Sequence, residues 1–172
     1  DRSPSRGLGD VYKRQISHQS VVKQAASFLK TPVNKLNLIT IHLGNGASIS
    51  AIKKGICVDT TMGMTPLEGL VMGTRPGDLD PGILTLLARK GWNQETLETM
   101  LNQDSGMKGL CGTNDFREIL QNKEERNEEA EMALELYCYR VRKTIGSFST
   151  VIGPVDALVF TGGVGENVSR VR

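Results

Sequence analysis

One stretch constrains the chain more than any other. Leu36-Asn37-Leu38-Ile39-Thr40-Ile41 runs directly into His42-Leu43-Gly44-Asn45-Gly46. The first six residues read as a buried strand, because β-branched and aliphatic side chains fit a pleated, packed surface. Ala47-Ser48-Ile49-Ser50-Ala51-Ile52 then alternates small or apolar with polar residues, Lys53-Lys54-Gly55 supplies turn chemistry, and Ile56 to Thr60 resumes as a strand. The five central residues therefore sit at a strand-to-strand corner. Gly44 and Gly46 flank Asn45, so the backbone there is free to take positive φ and to turn successive N–H groups toward an anion, usually phosphate. An ordinary glycine-rich β-turn is the competing reading of the same five residues.

The flanking chain reads as α/β. Residues 1–15 mix Arg and Lys with Ser, Pro and Gly without a period, and are expected to be disordered or unrelated to the fold. Val21, Val22, Ala25, Ala26, Phe28 and Leu29 predict a helix opened by Ser17 and stopped before Pro32. Residues 62–80, broken by glycines and prolines, predict a long loop, and loops of that length in compact domains are more often functional than idle. Helices follow over Pro81 to Lys90, with Asp80 as cap, and over Asn93 to Asn102. Ser105 to Gly112 reads as loop, and Asn114 or Asp115 as the cap of a helix through Leu120. The longest helix is predicted from Glu124 to about Ser149, its core face formed by Ala130, Ala133, Leu134, Tyr137, Val141, Ile145 and Phe148. Ala157 to Phe160 is a second buried strand, Thr161 to Asn167 a glycine-rich turn, and Val168 the start of a helix that the chain leaves one turn in. That ending suggests a fragment. Together these elements predict a mixed β-sheet with flanking helices.

Bulk properties exclude several classes. Lys plus Arg number 21 against 19 Asp plus Glu, so no strong field exists for nucleic acid or a membrane surface. Three widely spaced cysteines, Cys57, Cys111 and Cys138, fit neither a disulfide framework nor a zinc site, which points to a reducing cytoplasm. No apolar run has the length of a membrane span.

Three loops, 42–46, 73–77 and 161–167, are each able to present backbone N–H groups to phosphate. A P-loop is excluded, since no Gly-x-x-x-x-Gly-Lys-Ser/Thr stretch occurs. A Rossmann reading of Gly163-Val164-Gly165 lacks its acidic ribose ligand. Arg75, between Gly73 and Gly77, suits forked bonding to a carboxylate or a transferring phosphoryl group, the competing reading being a solvated surface arginine. His42 is either a phosphate donor or a satisfied core histidine. Asp115 and Arg117 read from spacing as a cap and a surface charge.

Five motifs in one order give these loops a common meaning. Thr40 to Ser48 (TIHLGNGAS), Thr61 to Leu70 (TMGMTPLEGL), Met72 to Arg75 (MGTR), Asn114 to Arg117 (NDFR) and Phe160 to Asn167 (FTGGVGEN) resemble the acetate kinase family, with propionate kinase as its close relative. The resemblance covers Ser17 to Arg172 and implies part of a longer enzyme with the two-domain ATPase fold shared by actin, hexokinase and Hsp70. It implies that His42, Leu43, Gly44, Asn45 and Gly46 cradle ATP phosphates. Arg75 would hold the substrate carboxylate and stabilise the transferring phosphoryl group, and Pro66 would line the pocket for the acetate methyl. Asp115, Phe116 and Arg117, with Gly163, Val164, Gly165, Glu166 and Asn167, would contact the adenosine.

The implied reaction is ATP plus acetate giving ADP plus acetyl phosphate, reversibly, with Mg²⁺ held by residues outside this sequence and a homodimer in the intact enzyme, the helix from Glu124 being one candidate contact. Where the family carries His-Gly-Thr-Ser-His, this chain has Arg14, Gln15, Ile16, Ser17 and His18. Only the final Ser-His matches, so the resemblance also implies that this chain alone lacks turnover. A propionate kinase or a non-catalytic nucleotide-binding fragment are the alternatives.

Overall fold

The computed structural model describes the backbone of residues 8–172 and side chains from Ile16 onward. Four strands form a mixed sheet in the order β3-β2-β1-β4. β1 (Leu38–Leu43) and β2 (Ala47–Lys53) are antiparallel, with His42 opposite Ser48 and Leu38 opposite Ile52. β3 (Ile56–Thr60) continues the meander, with a bulge between Ala51 and Ile52. Lys54 and Gly55 both take positive φ, the conformation a two-residue hairpin loop requires. β4 (Ala157–Thr161) lies parallel to β1, His42 opposite Thr161. The expected mixed sheet is present, with β1 shifted two residues toward the C-terminus, so His42 and Leu43 belong to the strand.

Strand alternation splits β1 and β2 between two environments. Ile39, Ile41, Leu43, Ala47, Ile49 and Ala51 are fully buried in the main core. On the same side lies α6 (Glu128–Ile152), capped by the Asn127 side chain, which accepts from Ala130 N–H. The expected stripe of α6 is buried, Ile145 only partly. Its start differs, because Glu124 closes α5 (Phe116–Glu124) and Arg126 at φ 63° breaks the two helices apart. On the opposite face α1 (Leu8–Phe28) packs Val22 and Ala26 on Leu38 and Ile52.

α1 begins at Leu8, so residues 8–15 are helical where no structure was expected, and Ser17 is interior rather than a cap; residues 1–7 lie outside the described residues. Phe28, expected on the apolar stripe, is the last residue of α1 and is 86% exposed. The 62–80 loop has no helix or strand, yet buries Met62, Leu70, Val71 and Met72. α2 (Gly82–Arg89) and α3 (Gln94–Gln103) contain no buried residue. α2 opens one residue later than expected, with Pro81 rather than Asp80 as its N-cap, although Asp80 Oδ1 still accepts from Gly82 N–H at 2.8 Å; Asn93 caps α3.

Two expected loops are helical. α4 (Gly106–Cys111) and α7 (Gly162–Asn167) are both six residues long and rich in glycine, so intrinsic propensity argues against them. Tertiary burial supplies what propensity lacks: Met107 is fully buried, and Val164 is buried with Val168 and Val171, which flank or form the short 3₁₀ turn Ser169–Val171. The helix expected from Val168 is that single turn.

Candidate active site

The parallel pair β1–β4 ends at one edge of the sheet, where its two outgoing connections meet. Open α/β sheets bind ligands at such carboxyl ends. His42 Nδ1 and Thr161 Oγ1 lie 3.0 Å apart and tie the two strand ends together. β1 leaves into the Gly44–Gly46 turn, and β4 leaves into α7.

Of the two glycines flanking Asn45, Gly44 has ordinary room for a Cβ. Neither Gly44 nor Gly46 is among the glycines at positive φ, and Gly44 N–H donates to Gly46 O at 3.1 Å rather than pointing outward. The expectation of a positive-φ nest here is corrected: the turn closes on itself. Instead Gly162, at φ 81°, lets the start of α7 cross the end of β1, where a Cβ would sit 2.5 Å from Leu43 O. At Gly73 a Cβ would sit 1.9 Å from Asn45 Oδ1.

Asn45 is the junction of three loops. Its backbone carbonyl accepts from Gly73 N–H at 2.8 Å, and its side-chain oxygen accepts from Asn114 Nδ2, also at 2.8 Å. The turn, the Arg75 loop and the approach to α5 are thereby joined across 69 residues of sequence. Around this junction lies an open cleft of about 640 Å³, within the ~300–1,000 Å³ range of small-molecule sites. Gly44 and Asn45 form one wall, Asn114, Asp115, Phe116 and Arg117 a second, and Gly163, Val164, Asn167 and Val168 a third.

Three segments singled out in the sequence therefore converge, though not every residue does. Leu43 turns its side chain into the main core, His42 meets Thr161, and neither they nor Gly46 line the cleft. Gly165 packs over β1 and β4, and Glu166 accepts from Gly162 N–H at 3.1 Å, closing the first turn of α7. Asn114 and Val168 are cleft residues that sequence reasoning passed over; the position of Asn114 within the NDFR motif was the available signal.

Asp115 combines both roles read for it. Its carboxylate caps α5 by accepting from Arg117 N–H at 2.9 Å and pairs with the Arg117 guanidinium. Those bonds hold the Asp115 carboxyl well below the usual range, at about 2. Arg117, 91% exposed, stands as the cationic rim of the cleft. Phe116 is buried and meets the Tyr137 ring edge-on, centroids 4.9 Å apart, so the wall it forms is braced by α6. Burial pushes the Tyr137 phenol upward.

Arg75 and Pro66 lie together in the 62–80 loop, outside that cleft. Arg75 is half-buried, and its Nη1 donates to Pro66 O at 3.4 Å and approaches Met72 Sδ at 3.9 Å. Pro66 is buried. The loop reaches the cleft through the Gly73–Asn45 hydrogen bond, and α4 braces it from behind: Met107 N–H donates to Met72 O and Lys108 N–H to Gly73 O, both at 2.9 Å. Among the described residues no group of three or more His, Cys, Asp or Glu side chains forms a metal site, and no helix is long and apolar enough to cross a membrane.

Known proteins are similar to this chain in sequence and in fold. The model of the acetokinase family matches residues 13–172. The acetate kinase of Sulfurovum sp. (strain NBC37-1) is 56% identical over 157 residues, covering 91% of this chain and 40% of that protein. That of Nitratidesulfovibrio vulgaris (strain DSM 19637) is 53% identical, covering 91% and 39%. Among solved structures, Porphyromonas gingivalis acetate kinase superposes with a TM-score of 0.88 at 46% identity, and a propionate kinase from Francisella tularensis with 0.87 at 45%, each covering 91% of this chain and 40% of its own. The chain thus spans about two fifths of the relatives' length, and the family model's match over residues 13–172, with these identities, makes it a member of the acetokinase family.

Proposed function

We propose that this chain is the nucleotide-binding part of a kinase that moves the γ-phosphoryl group of ATP to the carboxylate of acetate, giving ADP and acetyl phosphate, reversibly. The observation that carries the reading is the convergence of Gly44 and Asn45, of 114–117, and of Gly163, Val164, Asn167 and Val168 on one cleft, with Asn45 bonded to the loop that bears Arg75. Adenosine would lie against Phe116 and α7, and the phosphates would run past Gly44 and Asn45 toward Gly73. There the half-buried Arg75 would meet the acceptor.

No general base is required. A short-chain carboxylate, with a pKa of about 4, is ionised at neutral pH and able to attack phosphorus directly. What the protein contributes is position and charge neutralisation, because phosphoryl transfer leaves little covalent chemistry to the side chains. Arg75 is suited to both tasks, since a guanidinium forks onto carboxylate and phosphoryl oxygens alike. Pro66, buried beside it, presents an apolar surface to the acid's alkyl end. The described residues offer no ligand set for Mg²⁺, so no step is assigned to it; the ion would enter on the phosphates of the nucleotide.

Calorimetry with ADP tests the cleft: saturable binding that Asn45→Ala weakens at least tenfold is expected, and equal affinity in the variant overturns the assignment. Hydroxamate trapping of acetyl phosphate tests the chemistry: turnover is expected of the full-length protein and none of this chain alone, and robust turnover by the chain overturns that division. The likeness to a propionate kinase supports propionate as a second acceptor, which comparison of kcat/KM for the two acids in the full-length protein decides. The same reading places the protein in the cytoplasm as a homodimer, with Met132, Tyr139 and Val151, exposed on α6, as candidate contacts. Sedimentation equilibrium of Tyr139→Glu against the parent chain tests that association.

A further inference from the structure

The loop from Met62 to Asp80 carries the acceptor-side residues without any helix or strand to hold them. Its geometry depends on a clasp at its neck. Asp78 N–H donates to Gly69 O at 2.9 Å, and Gly69 N–H returns a bond to Asp78 Oδ1 at 2.7 Å. Arg140, on α6, then donates through Nη2 to both sides of the neck, to Asp78 Oδ2 at 3.0 Å and to Gly69 O at 3.3 Å. The two strands of the neck approach so closely that a Cβ on Gly77 would lie 2.4 Å from Gly69 O.

What this clasp encloses is the segment that bears Arg75. Met72 N–H donates to Arg75 O at 3.0 Å inside it, and the Arg75 guanidinium turns to Pro66 just before the neck. α6 is a rigid anchor, with Ala133, Leu134, Tyr137 and Val141 buried on either side of Arg140 in sequence. A guanidinium is suited to this task because its fixed fork can satisfy a carbonyl and a carboxylate at once, where a lysine ammonium acts as a point charge.

We propose that Asp78 and Arg140 are positioning residues for the acceptor half of the site: by closing the neck of the 69–78 loop onto α6 they fix the direction in which Arg75 is presented over Pro66. Neither touches the acceptor. The functional part of the claim rests on Arg75 being the carboxylate-holding residue. Loss of the clasp would spread Arg75 over several orientations, while the nucleotide cleft, which the loop meets through the Gly73–Asn45 bond, would still be held by the Asn45–Asn114 bond and by the packing of α5 and α7.

The test uses amide hydrogen exchange, an acetate titration followed on the Arg75 Nε–H resonance, and ADP calorimetry, on the parent chain and on Arg140→Ala, Arg140→Lys and Asp78→Asn. In Arg140→Ala the amides of Gly69, Met72 and Asp78 are expected to exchange at least tenfold faster, those of β1 and β2 less than twofold faster. The acetate concentration for half-saturation should rise at least fivefold while ADP affinity moves less than twofold, with Arg140→Lys falling between parent and alanine. Asp78→Asn, nearly isosteric, should follow the same pattern and covers the case in which Arg140→Ala fails to fold. Unchanged exchange at the neck, equal acceleration throughout the sheet, or unchanged acetate affinity in a loosened loop overturns the proposal. If acetate leaves the Arg75 resonance unmoved even in the parent chain, the carboxylate reading fails, and the clasp stands or falls on the exchange rates alone.

Discussion

The two faces of the sheet are woven from the same strands and behave as different materials. On the face toward α6, β1 and β2 contribute Ile39, Ile41, Leu43, Ala47, Ile49 and Ala51, all with no exposed surface. On the face toward α1 the same strands show a gradient. Leu38 and Ile52 pack under Val22 and Ala26 at one end, and toward the glycine turn the row becomes Thr40, Ser50, Ser48 and His42. His18 lies one helical turn before Val22 and spans that row, with Nδ1 2.8 Å from Thr40 Oγ1 and Nε2 2.9 Å from Ser48 Oγ. Ser50 Oγ donates to Thr60 at 3.2 Å, and His42 meets Thr161 at the outgoing strand ends. One face supplies cohesion through burial; the other fixes directions, because hydrogen bonds specify angles that dispersion does not.

The sharpest test of that contrast compares neighbours on one strand. Ile41→Ala should cost ~2–5 kcal/mol, the range for truncating a fully buried aliphatic side chain, measured by urea denaturation. Thr40→Val, isosteric and pointing the other way, should cost only about 1–3 kcal/mol, the penalty for removing one member of a buried polar pair. Equal costs would break the distinction between the faces. Where the polar row meets the cleft, Gly73→Ala forces a Cβ onto Asn45 Oδ1. A loss of at least tenfold in ADP affinity is expected, about 1.4 kcal/mol, with less effect on the urea midpoint than Ile41→Ala.

The dry side contains its own exception. Among the described residues, Tyr137 Oη is a buried atom with no hydrogen-bond partner. Tyr137→Phe keeps the edge-on contact with Phe116 and removes an unsatisfied group, so stability should hold or rise by up to about 1 kcal/mol, in contrast to the loss expected for Thr40→Val.

The smallest expected effect is at the rim. Asp115 titrates at about 2 in the folded chain, below its ordinary value of 3.8, because its charged form is bonded to Arg117. A depressed carboxyl contributes stability above its unfolded pKa and loses it as pH falls through the folded one. The difference in urea midpoint between the parent chain and Asp115→Asn should therefore stay constant from pH 7 to about 5 and shrink between about 4 and 2.

Much of this was legible in residue order. The α6 stripe, the Asp115 cap, the hairpin at Lys54-Gly55 and the alternation of β2 all follow from local periodicity and turn chemistry, which act between near neighbours. α4 and α7 were not legible, because six-residue helices rich in glycine exist here through the burial of Met107 and Val164, contacts that no local window contains. The site divides the same way. Its motifs could be recognised, but Asn114 as partner of Asn45 and Arg140 as partner of Asp78 join positions 69 and 62 residues apart.

The glycines show the division most plainly. Sequence by itself determined that the chain turns tightly after β1, since a glycine-rich segment following an apolar strand leaves few other conformations; after β4 the same reasoning predicted a turn where packing makes α7. Which glycines have a close neighbour where a Cβ would go was decided only by the tertiary structure. Gly44 has ordinary room for a Cβ, whereas Gly73 faces Asn45 and Gly162 crosses Leu43. A steric requirement belongs to whatever lies opposite, and what lies opposite is set by how distant segments pack.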